Sequence, residues 1–186
     1  VFNYLVSVES FARISDRLLE AIGELSKTGK YIVIGHSLGG VILRDALSKL
    51  KPSTKLPEEV FLLGSPQKAS RLAMKLARHS AYRLLTGDCG QLLSQPERMA
   101  EVPPLTIRCT SVVGTLGIRG GLFGNEVNDG IVSANEVQAP WIENEVRVNV
   151  MHTMLPASHR VTAVILLRLS ARGHGPAEQG GSSAAN

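Results

Sequence analysis

Apolar positions along the chain change period several times, and each change marks an element. From Ser7 to about Lys27, Phe11, Ile14, Leu18, Ile22 and Leu25 recur every three or four residues, the spacing of one helix face. Ser7 or Ser10 caps its start, because a serine oxygen accepts from the free N–H groups of a first turn, and Gly29 ends it. "YIVIG" (31–35) is a continuous run rich in β-branched residues, which suits a central strand buried on both faces of a parallel sheet. Helical spacing returns after Gly39 and Gly40 with Val41, Ile42, Ala46, Leu47 and Leu50. "EVFLLGS" reads as a second buried strand and "PLTIRCTSVVGT" as a third, with a mostly helical stretch over 69–100 between them, broken at Gly87 to Gly90 and at Pro96. The region from Gly114 to Asn128 is glycine-rich and aperiodic, a loop. "VRVNV" is a last short strand, and a helix follows from about Ser158 to Leu169. "VFNYL" at the start also reads as a short strand entering a loop.

Strands alternating with helices predict a three-layer α/β architecture with a mostly parallel sheet in one domain. The length of 186 residues supports one sizeable core, with residues 69–128 as an excursion above the sheet. The domain is expected over 1–172, and the Gly/Ser/Ala-rich end, 173–186, reads as a disordered tail.

Composition narrows the function. A hydrophobic share of 44% against 19% charged residues is that of a soluble globular protein. The net charge of +4 is modest, and its cations are spread along the chain with no dense run or interleaved aromatics, which argues against a nucleic-acid partner. Val161 to Leu167 is far too short to span a bilayer. Cys89 and Cys109 lack metal-ligand spacing; they read as two buried or idle thiols, although one disulfide is an open alternative. The N-terminus, beginning at Val1 with no charged-then-apolar leader, carries no address, so localisation is left unassigned.

The chemistry starts at "GHSLG", residues 35–39, a G-x-S-x-G pattern between a buried strand and an amphipathic helix. That context is a nucleophile elbow. Ser37 sits at the tip of a sharp turn, with Gly35 and Gly39 small enough for neighbouring chains to approach. The N–H of Leu38 then points where an oxyanion would form. A serine hydroxyl needs a base, and the base an orienting carboxylate, in the order Ser, Asp or Glu, His. Asp129, in an Asn-Asp-Gly turn after the third strand, is the favoured acid, with Glu126 the nearest substitute. Asp45 lies inside the helix after the elbow, and Asp88 comes too early. His152, just past the last strand, is favoured as base over His159 in the following helix; His79 precedes the acid, His174 lies in the tail, and His36 is read as pocket wall.

Five segments in order, "VIGHSLGGVILRDAL", "FLLGSPQKASRLA", "LLTGDCGQLL", "NDGIVSANEV" and "VMHTMLPASHRV", resemble bacterial lipase/esterase-like α/β-hydrolases over nearly the whole chain, about Val1 to Leu169. The resemblance implies Ser37 as nucleophile, Asp129 as acid and His152 as base, with no metal or organic cofactor. It implies a small-molecule ester or lipid substrate; transient contact with a lipid surface is left open, since no amphipathic lid stands out in the sequence. Gln67 and Ala69 depart from the family's usual Asn and Gly. The family's first strands and the His-Gly loop that supplies a second oxyanion donor are absent, so the domain is expected to be N-terminally incomplete. The same triad would serve a thioesterase or acyltransferase, and a non-catalytic binding protein of this fold is the other alternative. Of the remaining features, Leu116, Ile118, Leu122 and Phe123 either line an acyl channel or pack, while Trp141, Met151 and Met154 read mainly as packing residues.

Overall fold

A computed structural model describes residues 1–173. Helix α1 (Phe11–Ser26) leads to β1 (Val33–His36), α2 (Leu38–Ser48) and β2 (Val60–Leu63). Three helices follow, α3 (Arg71–Leu76), α4 (Ser80–Ser94) and α5 (Pro96–Glu101), before β3 (Cys109–Gly114). The chain then runs through α6 (Ala134–Val137) and β4 (Asn144–Val148) to α7 (His159–Gly173). The four strands form a parallel sheet in the order β1-β2-β3-β4, with Gly35 opposite Leu62, Leu62 opposite Ser111 and Ser111 opposite Glu145.

The alternation of side chains along β2 builds the layers. Val60 and Leu62 pack with Ile22 of α1 and with Leu43, Ala46 and Leu47 of α2. Phe61 and Leu63 point to the opposite face and pack with Val148, Leu155 and Val161, the last from α7. The sheet is therefore sandwiched between α1–α2 and α7, the expected three-layer arrangement. Burying a side chain such as Phe61 stabilises the fold by roughly 1.5–3 kcal/mol.

Several elements differ from the sequence reading. Residues 1–5 form no strand. Phe2, Tyr4 and Val6 instead pack against Phe11, Ile14 and Val41; their period of two reflects burial of alternate side chains, not ladder pairing. β1 is consequently an edge strand, and its Ile34 is 49% exposed. β4 begins two residues before its expected start, because an edge strand half-exposed to solvent tolerates Asn144 and Glu145 on it. Helix α7 reaches Gly173, and the rest of the expected tail lies outside the described residues.

The long-range cap on α1 explains the "LLTGDCGQLL" segment. Ser10 Oγ accepts from Arg13 N, and Asp88, 77 residues further on, accepts from Phe11 N at 2.8 Å. Gly87 has φ +53 and ψ −141, which kinks α4 and lets the Val6 carbonyl lie where a side chain would be. Asp88 is thereby turned toward α1, and Arg98 holds it at 2.8 Å. Cys89 and Cys109 are both free thiols, buried in separate clusters.

Candidate active site

The segments that follow β1, β3 and β4 meet at the C-terminal edge of the sheet. β1 runs directly into α2, and Ser37 at the junction has φ 52 and ψ −127, the only positive φ at a non-glycine among the described residues. Holding a serine there costs about 1–3 kcal/mol, which surrounding structure must offset. Ser37 N donates to Leu63 O at 2.9 Å, tying the elbow to β2. A Cβ on Gly35 would lie 2.5 Å from Gly40 Cα, so a larger residue would push α2 off the strand. The first N–H groups of α2, beginning with Leu38, have no acceptor within the helix.

Asp129 and His152 meet beside this turn. Asp129 Oδ2 lies 2.7 Å from His152 Nδ1, and the two residues are 2% and 5% exposed. A carboxylate only accepts, so Nδ1 carries the proton and Nε2 is left with its lone pair outward. The acid is fixed from behind: Asp129 Oδ1 accepts from Ile131 N at 3.0 Å and Val132 N at 2.8 Å. Its own carbonyl accepts from His152 N at 2.9 Å. His152 opens a 3-10 turn, His152–Ala157, rather than the open loop read from sequence. Asp129 and His152 are thus brought together. His159 begins α7 and Glu126 pairs with Arg71, so neither alternative shares this contact.

Two glycines make room for the pair. A Cβ on Gly64, just after β2, would lie 3.0 Å from both Asp129 Oδ2 and His152 Nδ1 and 2.8 Å from Leu155 Cδ1. Gly64 also has φ +54, so it needs glycine on both counts. A Cβ on Gly114, at the end of β3, would lie 2.7 Å from Asp129 Cβ.

His36 does more than line a wall. Its Nε2–H donates to His152 O at 3.0 Å, and the two imidazoles stand with ring centroids 4.7 Å apart. Because a carbonyl can only accept, this bond fixes the proton of neutral His36 on Nε2. Burial, then the neighbouring His152, hold its pKa below the ordinary 6.5. Sequence alone gave no sign of this contact. Ser37 Oγ, by contrast, has no hydrogen-bond partner among the described residues. Such bonds tighten in many enzymes only when substrate arrives.

Arg71 secures the loop that carries the acid. Its guanidinium grips Glu126 through both carboxylate oxygens at 3.0 and 2.6 Å and donates to Ser133 Oγ at 2.7 Å. It also lies over Phe123, 5.1 Å from the ring centroid. Phe123 is buried there, while Leu116 and Ile118 stay exposed. Met151 and Met154 are exposed too, against the packing role read from sequence, because the 3-10 turn directs His152 and Leu155 inward instead. With Leu116 they line a groove of about 370 Å³ whose wall also includes Asn149, His159 and Arg160 but neither Ser37 nor His152. Trp141 does pack, under Arg44, whose pKa burial pulls down to about 10. Gln67 is buried, its Nε2 bonded to Ser65 O at 2.7 Å and its Oε1 unpaired.

Among the described residues no cluster of three His, Cys, Asp or Glu side chains could hold a metal ion, and no helix is long and apolar enough to cross a membrane.

No family model matches the sequence, and no curated protein matches it. Solved structures do. The mature Bacillus licheniformis lipase BlEst2 is 18% identical with a TM-score of 0.57, over 87% of this chain and 74% of that one. Of the propeptide form of the same lipase, the chain spans only 43%. RedJ, a thioesterase from the prodiginine pathway of Streptomyces coelicolor, is 19% identical with a TM-score of 0.51, over 87% of this chain and 71% of that one. A thermophilic esterase from Thermogutta terrifontis is 18% identical with a TM-score of 0.52, over 91% and 75%. The parallel sheet, its flanking helices and these neighbours together establish that the chain has the α/β-hydrolase fold.

Proposed function

We propose that this chain is a serine hydrolase that cleaves carboxylic esters. The observation that carries the reading is the buried Asp129–His152 pair, 2.7 Å apart, beside a serine held at positive φ on a strand-to-helix turn. An ordinary turn has no reason to keep a serine in that conformation or to bury an ion-pair-forming couple next to it.

In this reading Ser37 Oγ attacks the ester carbonyl carbon while His152 Nε2 takes its proton. Asp129 holds the imidazole tautomer and stabilises the imidazolium that forms. The carbonyl oxygen becomes an oxyanion facing the Leu38 N–H at the start of α2. Collapse of this intermediate breaks the bond to the alcohol oxygen, which leaves with the proton from His152. Water, deprotonated by His152, then attacks the acyl-enzyme, and the carboxylic acid departs as Ser37 regains its proton. Every step in this reading moves a proton among Ser37, His152, the leaving alcohol and water, so the cycle needs no metal or organic cofactor.

A fluorophosphonate probe tests the reading, because it reacts only with an activated serine. Covalent labelling at Ser37, lost in Ser37→Ala, is expected, with p-nitrophenyl ester turnover falling on the order of 10⁴- to 10⁶-fold in that variant. Absence of labelling leaves a non-catalytic binding protein, and labelling that survives Ser37→Ala overturns Ser37 as the nucleophile. Faster turnover of an acyl thioester than of the matched oxygen ester would move the substrate class to thioesters.

A further inference from the structure

The stretch from Val60 to Gly87 contains Lys68, Arg71, Lys75, Arg78 and Arg83 and no acidic residue. Spread along the sequence, these five cations are not a dense run. The fold places three of them on α3, the turn after it and the first turns of α4, two helices that pack against each other. Arg71 is occupied by Glu126 and Lys68 bonds Asn135 at 2.9 Å. Lys75, Arg78 and Arg83 are exposed and make no ion pair among the described residues.

The kink at Gly87 divides α4 into two parts. The part beyond it buries Cys89, Gly90 and Leu92. The part before it, with the end of α3, stands clear of the core. Leu84 is 78% exposed and Leu85 69%, and Met74 of α3 is exposed beside Lys75. Adjacent leucines on a helical surface cost solubility unless something covers them. Lys75, Arg78 and Arg83 lie on the same two helices and the turn joining them, each without a carboxylate partner among the described residues. Exposed apolar side chains and unpaired cations on one helix pair fit the boundary between anionic headgroups and acyl chains, where both kinds of group are satisfied together.

We propose that the α3–α4 hairpin docks the protein on an anionic lipid surface. Leu84, Leu85 and Met74 enter the headgroup–acyl boundary, and Lys75, Arg78 and Arg83 meet lipid phosphates. The hairpin follows the C-terminal end of β2, the end of the sheet where Ser37 also lies, so docking presents the candidate site to the lipid. That presentation rests on the ester-hydrolase reading; the docking itself does not.

The test is cosedimentation of the full chain carrying Ser37→Ala with vesicles of phosphatidylcholine alone and of phosphatidylcholine with phosphatidylglycerol. Binding to the anionic vesicles, weakened by salt, is expected. Each cation near such a surface contributes about fivefold to binding, so the triple variant Lys75→Glu, Arg78→Glu, Arg83→Glu should lose about 100-fold or more. Leu84→Ser with Leu85→Ser should lose roughly tenfold or more. Circular dichroism and, in the Ser37 background, unchanged fluorophosphonate labelling verify that these variants fold. No binding to anionic vesicles, binding that survives charge reversal, or capture on a heparin resin with no vesicle binding overturns the docking. Vesicle binding without labelling overturns only the hydrolase reading, and labelling without vesicle binding only the docking.

Discussion

Replacing Gly64 with alanine separates two physical demands that meet at one residue. The first is backbone: Gly64 has φ +54, and an L side chain there costs about 1–2 kcal/mol. The second is space. The new methyl would sit 3.0 Å from His152 Nδ1 and Asp129 Oδ2 and 2.8 Å from Leu155 Cδ1. Two of those neighbours are the buried pair itself, hydrogen-bonded and unable to retreat without breaking its 2.7 Å contact. Overpacking of this kind costs about 1–3 kcal/mol, giving about 2–5 kcal/mol in total. Gly124 provides the control, since its φ is +56 and a Cβ on it would meet nothing within 4 Å. Gly124→Ala should therefore show the backbone cost alone. Urea unfolding followed by circular dichroism should place Gly64→Ala below Gly124→Ala by about 1–3 kcal/mol. Displacing His152, the proposed base, should also lower kcat/KM for a p-nitrophenyl ester about 100-fold or more, while Gly124→Ala stays near the parent. Equal losses of stability in the two variants, with ester turnover intact in both, would refute the packing argument.

His36 and the thiols allow two further checks. Because the native pKa of His36 is held below 6.5, its contribution to stability is fully present above that value. It is lost as pH falls, since the unfolded chain takes up the proton before the native one, and the loss is complete below the native pKa. His36→Gln, which keeps a donor for His152 O, should flatten the fall in urea midpoint between about pH 7.5 and 5; an unchanged slope would mean that His36 is not the group involved. Burial pushes the Cys89 thiol up to about 11 and the Cys109 thiol up to about 12. Ellman's reagent near pH 8 should find no fast-reacting thiol in the native protein and two in urea, and a rapid native reaction would contradict their placement.

What could be read from sequence was what is encoded locally. The elbow is a contiguous five-residue pattern, and chain order was enough to favour Asp129 and His152, which the fold brings into contact. Helix α6 was missed, although its signal was present: Ser133 and Glu136 form a capping box, Ser133 Oγ accepting from Glu136 N and Glu136 Oε2 from Ser133 N. "VFNYL" misled because alternate burial and strand pairing share a period of two, and only the presence of a partner strand distinguishes them. Other features lay beyond any local pattern. Gly64 looks like any glycine at a strand end until residues 129 and 152 arrive beside it. His36 looks like a pocket wall until its ring is seen against His152. The cations at 75, 78 and 83 look dispersed until α3 and the leading turns of α4 are seen to pack as one helix pair.

The cap that Asp88 places on Phe11 carries a consequence for the newborn chain. At roughly 5–20 residues per second, a ribosome releases α1 about 3–12 s before the carboxylate that completes its first turn. During that interval only Ser10 serves the helix start, and the apolar face carrying Ile14 and Ile22 waits for α2 and for strands not yet made. The start of α1 therefore matures late, when the segment around Gly87 folds back onto it. Synthesis pauses between residues 26 and 88 would prolong the exposure of that face to chaperones and to other nascent chains.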